Sequence, residues 1–406
     1  MITPYCIFQN LSITSSVVAL LILLMNHKFE VNNDLNVEVC YDRNFPNESL
    51  SDLKLDFLNM SKNSTFNAPQ IESIPPPGAF RQEFPATTKQ LDFVLKSRQL
   101  VTNILNGFDK RLLLIVGPCS IHDTKAAEEY ATKLHHLSKD VSQSFLIVMR
   151  TYFEKPRTSL GWKGMIYDPH LNGSNNIVAG ISQARKLLLY LADIELPAAT
   201  EFLDPVTSHY IGDLISWACI GARTAESQIH RQFASGLPMP VAFKNSTTGN
   251  IDVAINGVLA ALSPHTFFGI DDMGQISIIR TKGNVNAHIA LRGGENSPNY
   301  DEASIKRTLN LMKRNSLAER IIVDCSHDNS CRRHEEQEVV FESVLKQFID
   351  GNHAIRGLSV ESHLFGGSQQ ISADTSALQY AVSLTDPCLD WDNTERLIRR
   401  GAKMMS

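Results

Sequence analysis

A chain of 406 residues, 43% hydrophobic and 20% charged, has the composition of an ordinary globular protein and the length for one large core or two to three smaller ones. Its formal charge of −5 gives no reason to expect a nucleic-acid partner. The seven cysteines, Cys6, Cys40, Cys119, Cys219, Cys325, Cys331 and Cys388, are irregularly spaced and include no CxxC pair, which argues against a disulfide framework and against a paired-cysteine metal site. The first 70 residues stand apart, with ten Asn and an apolar run at Val17–Met25. With its lead-in from Leu11 that run reaches 15 residues, short of the roughly 20 a bilayer span needs. No Lys or Arg precedes Lys28, so the basic start of a signal peptide is missing. Residues 1–70 are read as an accessory or partly disordered extension, residues 71–406 as a catalytic domain. A membrane role is not expected, and the reduced thiols favour the cytoplasm.

After Pro75-Pro76-Pro77, short apolar runs alternate with segments of helical period, the pattern of βα units around a parallel sheet. The first strand is expected at Leu112–Gly117 with a helix at Thr124–Leu137, and the second at Phe145–Arg150 with a helix at Ile177–Ile194. The third is expected at Ala198–Leu203 with a helix at Ser208–Ala218, and the fourth at Ile220–Arg223 with a helix at Glu226–Ser235. The fifth is Val241–Lys244, followed by a helix at Ile251–Leu262. Thr266–Ile270 and Ile276–Thr281 then read as an inserted hairpin ahead of the sixth strand, His288–Arg292, and a helix at Asp301–Arg314. The seventh strand is Arg320–Cys325 with a helix at Arg332–Phe348. The eighth is Gly357–Glu361, and Thr394–Met404 closes the ring. Eight repeats predict an α/β fold, a (β/α)8 TIM barrel with an N-terminal extension and an inserted β-hairpin around strand six. A doubly wound open sheet is the alternative, but no Gly-x-Gly-x-x-Gly turn supports it.

The residues just after each strand are informative, because in a barrel those ends meet on one rim. Arg150, Arg223, Lys244 and Arg292 end the second, fourth, fifth and sixth strands, and Lys155-Pro156-Arg157-Thr158 comes after the second. A single Lys or Arg beside a strand is usually solvated surface. Four in such places suit a ligand with several negative charges, since guanidinium groups hold phosphate and carboxylate oxygens bidentately. Glu201 on the third strand is a further site-lining candidate. Cys119, His327, Glu361 and Asp386 stand after the first, seventh and eighth strands and offer a thiolate, an imidazole and two carboxylates. Singly, Cys119 reads as a buried free thiol, His327 as a hydrogen-bonded core histidine and Asp386 as a helix N-terminal residue. Together they suit a first-row divalent ion better than Mg²⁺ or Ca²⁺, without selecting among Mn, Fe, Co and Zn.

From Ile71 to Leu397 the chain resembles the class I 3-deoxy-D-arabino-heptulosonate 7-phosphate (DAHP) synthases of bacteria and fungi. The resemblance rests on Leu-Ile-Val-Gly-Pro-Cys-Ser-Ile-His-Asp at 114–123, on Met-Arg-Thr-Tyr-Phe-Glu-Lys-Pro-Arg-Thr at 149–158, and on Gly161-Trp162-Lys163-Gly164. It continues through Gly221-Ala222-Arg223-Thr224, Phe243-Lys244-Asn245, Leu291-Arg292-Gly293-Gly294, Asp324-Cys325-Ser326-His327 and Val360-Glu361-Ser362-His363. It implies that Cys119, His327, Glu361 and Asp386 hold the divalent metal. It implies that Arg150, Lys155, Ala222, Arg223, Lys244 and Arg292 bind phosphoenolpyruvate, that Pro156, Arg157 and Thr158 position erythrose 4-phosphate, and that Lys155, Cys119 and His327 serve catalysis.

The implied activity joins carbon 3 of phosphoenolpyruvate to the tetrose aldehyde and opens aromatic biosynthesis. A homo-oligomer, dimer or tetramer, is implied by the same resemblance. An octulosonate phosphate synthase and a non-catalytic regulatory descendant are the competing functions; the Lys155–Thr158 segment argues against the first and the intact site positions against the second. The chain departs from the family at the places where feedback-inhibited members bind an aromatic amino acid. Ser64-Thr65-Phe66-Asn67 replaces an acidic pair followed by Arg-Ile, Thr207-Ser208-His209-Tyr210 replaces Thr-Pro-Gln-Tyr, and Pro238 replaces a serine. Weak or absent inhibition by phenylalanine and tyrosine is therefore expected, or retuning to tryptophan.

Overall fold

The computed structural model describes residues 71–406, apart from Asn296 and Ala373, and the paired backbone of Glu30–Val31 with Val37–Glu38. The apolar run at 17–25 and the segment 64–67 lie outside the described residues. Chain contacts separate Met1–Ser73 from Ile74–Ser406, and the second unit holds every βα repeat.

Two helices, α1 (Pro77–Glu83) and α2 (Thr88–Leu105), precede the repeats. A capping box starts α2: Thr87 accepts from the Gln90 amide, and the Gln90 side chain accepts from the Thr87 amide. The repeats run β1 (Leu112–Gly117), α3 (Thr124–Asp140), β2 (Phe145–Arg150), α4 (Ile177–Asp193), β3 (Ala198–Glu201), a short α5 (Thr207–Ile211) and β4 (Trp217–Ile220). They continue through α6 (Gln228–Ala234), β5 (Val241–Lys244), α7 (Asp252–Leu262), a hairpin of β6 (Thr266–Ile270) and β7 (Ile276–Arg280), and β8 (His288–Leu291). Last come α8 (Glu302–Arg314), β9 (Ile321–Asp324), α9 (Gln337–Ile349), β10 (Ile355–Glu361) and α10 (Trp391–Met404).

Eight parallel strands close in the order β8-β9-β10-β1-β2-β3-β4-β5, so the chain is a (β/α)8 barrel. Every residue of β1 and β2 is buried, as expected for strands covered on both faces. Alternate residues divide the core. Leu112, Leu114 and Val116 face the helices, whereas Leu113 and Ile115 join Leu146, Val148, Trp217, Ala242 and Ile322 inside the barrel. Val101, Ile104 and Leu105 belong to that inner group, so the end of α2 stoppers the barrel floor.

The inserted hairpin is antiparallel and separate from the barrel. Its turn is set by Asp271, whose Oδ1 accepts from the Met273 and Gln275 amides, and by Gly274 at φ 72°. The fourth repeat differs from the sequence expectation. The helix after β3 stops at Ile211, passes into a 3-10 turn at Gly212–Leu214, and gives way to β4 three residues early. Gly221 follows that strand, and a Cβ there would stand 2.0 Å from Glu201 Oε1. Arg223 consequently sits in the following turn.

Candidate active site

A cavity of about 780 Å³ opens at the C-terminal ends of the strands. Lys155, Pro156, Arg157, Thr158, Glu201, Ala222, Arg223, Lys244, Arg292, His327 and Asp386 all line it. The expected rim residues are therefore together, with three at greater depth. Arg150 is fully buried: its Nη2 donates to Glu361 Oε1 at 2.9 Å, its Nη1 to Ser359 Oγ at 3.2 Å, and its guanidinium lies 4.0 Å from the Tyr152 ring centre. Cys119 and Glu361 are the other two, and both are buried.

At the floor, one ligand atom each from Cys119, Glu361 and Asp386 lies within 4.8 Å of the others. Cys119 Sγ is 3.6 Å from Asp386 Oδ2. His327 Nε2 stands 3.9 Å from both Glu361 Oε1 and Asp386 Oδ2. Its other ring nitrogen is 2.7 Å from Ser326 Oγ and 3.0 Å from Asp324 Oδ2, which fixes the ring's direction. His327 adopts φ 56°, a conformation uncommon for a non-glycine residue and concentrated at functional sites.

A divalent ion fits this donor set. Glu361 Oε2 is buried with no hydrogen-bond partner, although buried carboxylate oxygens are nearly always satisfied. A cation among one thiolate, one imidazole and two carboxylates would satisfy it.

The cations are not alike. Lys244 Nζ is 2.8 Å from Asp324 Oδ2, and Arg292 pairs with Asp328; all four groups are buried. Burial opposes charge on Asp324, but Lys244 and His327 more than offset it and hold the carboxyl well below its usual range. Lys155 Nζ donates to Cys119 Sγ at 3.1 Å and to Cys119 O at 3.2 Å. Burial lowers its affinity for a proton, yet Cys119, Asp386 and Glu361 raise it further, so Lys155 stays an ammonium. Burial acts in the opposite direction on Cys119 and pushes its thiol upward, aided by Glu361. Arg223 is exposed, its Nε donating to Thr158 Oγ1 at 3.2 Å.

The acidic partners Asp324 and Asp328 were not among the expected residues. The signal was available, because cations buried at strand ends require counter-charges, and Asp324 heads the Asp-Cys-Ser-His run.

The profile of the DAHP synthetase I family matches residues 83–399. The chain belongs to that family. It is 47% identical over 323 residues to the Tyr-sensitive phospho-2-dehydro-3-deoxyheptonate aldolase of Escherichia coli K12, covering 80% of this chain and 90% of that one. It is 46% identical over 341 residues to the Trp-sensitive enzyme of the same strain, covering 84% and 97%. A solved phospho-2-dehydro-3-deoxyheptonate aldolase from Francisella tularensis SCHU S4 superposes with a TM-score of 0.81 at 42% identity, over 83% of this chain and 98% of that one. As a member of the family the chain is a transferase of the DAHP synthase class. Among the described residues, no helix is long and apolar enough to cross a membrane.

Proposed function

We propose that the chain condenses phosphoenolpyruvate with D-erythrose 4-phosphate and water, giving 3-deoxy-D-arabino-heptulosonate 7-phosphate and phosphate, with a divalent metal at Cys119, His327, Glu361 and Asp386. The observation that carries this reading is the convergence of that donor set and Lys155 at the floor of a cavity walled by Arg157, Arg223, Lys244 and Arg292. When bound, the ion supplies Lewis-acid polarisation of the aldehyde oxygen.

Arg150, Arg223, Lys244 and Arg292 hold the phosphoenolpyruvate carboxylate and phosphate, with Ala222 against it. Pro156, Arg157 and Thr158 set the tetrose so that its aldehyde carbon faces carbon 3 of phosphoenolpyruvate. As that carbon–carbon bond forms, Lys155 donates its proton to the developing alkoxide. Water adds at carbon 2, and phosphate leaves by cleavage of the carbon–oxygen bond. A Schiff base at Lys155 is disfavoured, because an ammonium facing a thiol and two carboxylates is a poor nucleophile. The proposed setting is the cytoplasm, and the proposed assembly a dimer or tetramer.

The test is phosphate release by the purified chain with phosphoenolpyruvate and either erythrose 4-phosphate or arabinose 5-phosphate. Turnover with the tetrose alone is expected. Turnover only with the pentose would make it an octulosonate phosphate synthase, and none with either, metal supplied, would leave a regulatory descendant.

A further inference from the structure

At the opposite end of the barrel, where the strands begin, a second cavity of about 790 Å³ opens beside the loop leading from α2 into β1. Gly107, Lys110, Arg111, His353 and Arg356 line it, with Ser406 on its rim. Arg111 is neutralised, 2.7 Å from Asp109. Arg356 is not.

A break in register creates its position. Ile321 pairs with Ile355 but Ile322 pairs with Gly357, so Arg356 is the extra residue of a bulge and falls outside the ladder. Its guanidinium lies over Gly107, where a Cβ would stand 3.0 Å from Nη2. Its Nε is buried without a hydrogen-bond partner, and no acidic group among the described residues pairs with it. Arg320 is a like-charged neighbour already engaged by neutral acceptors, the Val285 carbonyl at 3.0 Å and Asn106 Oδ1 at 2.6 Å. Burial lowers the proton affinity of Arg356, as it does for a cation with no counter-charge at hand.

A half-buried guanidinium with an empty fork, in a concave wall that also carries Lys110 and His353, is built to receive oxygen atoms of an anion. The cavity's size and the chain's formal charge of −5 favour a small solute over a nucleic acid. We infer that this cavity binds a small phosphate-bearing anion, inorganic phosphate or a phosphomonoester, on the fork of Arg356 with Lys110 and His353 at the rim. The site is separate from the catalytic mouth, and its residues take no part in the condensation.

Equilibrium dialysis of the full chain against labelled inorganic phosphate tests this. The wild type is expected to take up one more equivalent than Arg356→Ala, with equal initial rates of condensation showing that the variant is folded. Lys110 is exposed, so Lys110→Glu provides a variant that folds even if Arg356→Ala does not. It is expected to weaken that equivalent about tenfold. Equal uptake and affinity in the wild type and in the folded variants would overturn the site. Glycerol 3-phosphate displacing the extra equivalent would identify a phosphomonoester site, and failure to displace it a site for free phosphate.

Discussion

Arg223 and Arg292 face the same cavity in different circumstances, and the difference governs what their removal does. Arg223 is exposed and bonds only Thr158 among the described residues. Arg223→Ala should leave folding and metal binding intact and cost about 1.5–3 kcal/mol of substrate interaction, roughly ten- to a hundredfold in kcat/KM for phosphoenolpyruvate. Arg292→Ala leaves Asp328, 2% exposed, with Arg332 as its remaining partner, Nε to Oδ1 at 3.0 Å. It should impair phosphoenolpyruvate use and also lower the melting temperature, by less than the about 3–5 kcal/mol of a buried charge left with no partner, because Arg332 remains. Unchanged steady-state constants in both variants would remove these cations from the substrate site. Cys119→Ala removes a proposed metal donor and one of the two acceptors of Lys155 Nζ, leaving the backbone carbonyl. The expectation is loss of activity and of bound metal with the fold retained by circular dichroism. Chelator should inactivate the wild type, and Mn²⁺ should restore it. Full activity in verified metal-free protein would end the metal proposal.

At the scale of elements, the loop after β2 is tied to the exit of β3 through one carboxyl group. Glu154 accepts from the amides of Leu203 and Asp204 and meets Thr207 Oγ1 at 2.9 Å, and burial raises its pKa to about 7 despite those bonds. Thr207 Oγ1 donates to Glu154 Oε2 and lies 2.8 Å from the Asp204 carbonyl, so the one hydroxyl proton is contested between the two. The folded pKa lies above the unfolded value, so the wild type should lose stability as pH rises from about 4.5 to about 7. Glu154→Gln cannot ionise, so its melting temperature relative to wild type should climb across that window; a constant difference would refute the ionisation.

The same exit of β3 borders a cavity of about 560 Å³ that also holds Pro238 and the β6–β7 hairpin. Pro238 supplies no amide donor and no hydroxyl there. Inhibition by phenylalanine and tyrosine is expected to be weak in initial-rate assays; strong inhibition by either refutes this, and strong inhibition by tryptophan alone indicates retuning.

Strand positions were legible because buried β-runs sit between glycines, prolines and charged residues. The helix α2 was not, because Gln90 and Ser97 occupy its buried face and break the apolar period. The end of β4 was misplaced because the mostly apolar Ile211–Ile220, interrupted by Gly212, Asp213 and Ser216, carries no period that separates helix from strand. In the site, residue types pointed to the cations and to the proposed metal donors, but which cation has an acid beside it depends on distances that only the closed barrel sets.

For the whole molecule, the change in composition and the start of the family match both fall downstream of residue 50. Removing residues 1–50 should leave a soluble enzyme with wild-type turnover and melting temperature. A truncated chain that unfolds or loses activity would make the extension structural.

The barrel closes where β10 meets β1, from Gly357 against Leu113 to Glu361 against Gly117. Those partners are among the most distant in the chain, and joining them closes a long loop late in a high-contact-order topology. Cys119 lies just past one side of that seam and Glu361 ends the other, so the donor set assembles only with the last strand. A chain emerging from the ribosome is thus without the proposed metal site until nearly all of it has been made. Refolding followed by metal uptake should lag behind the recovery of helical signal, and a mutation that slows seam closure would delay metallation without altering the finished enzyme.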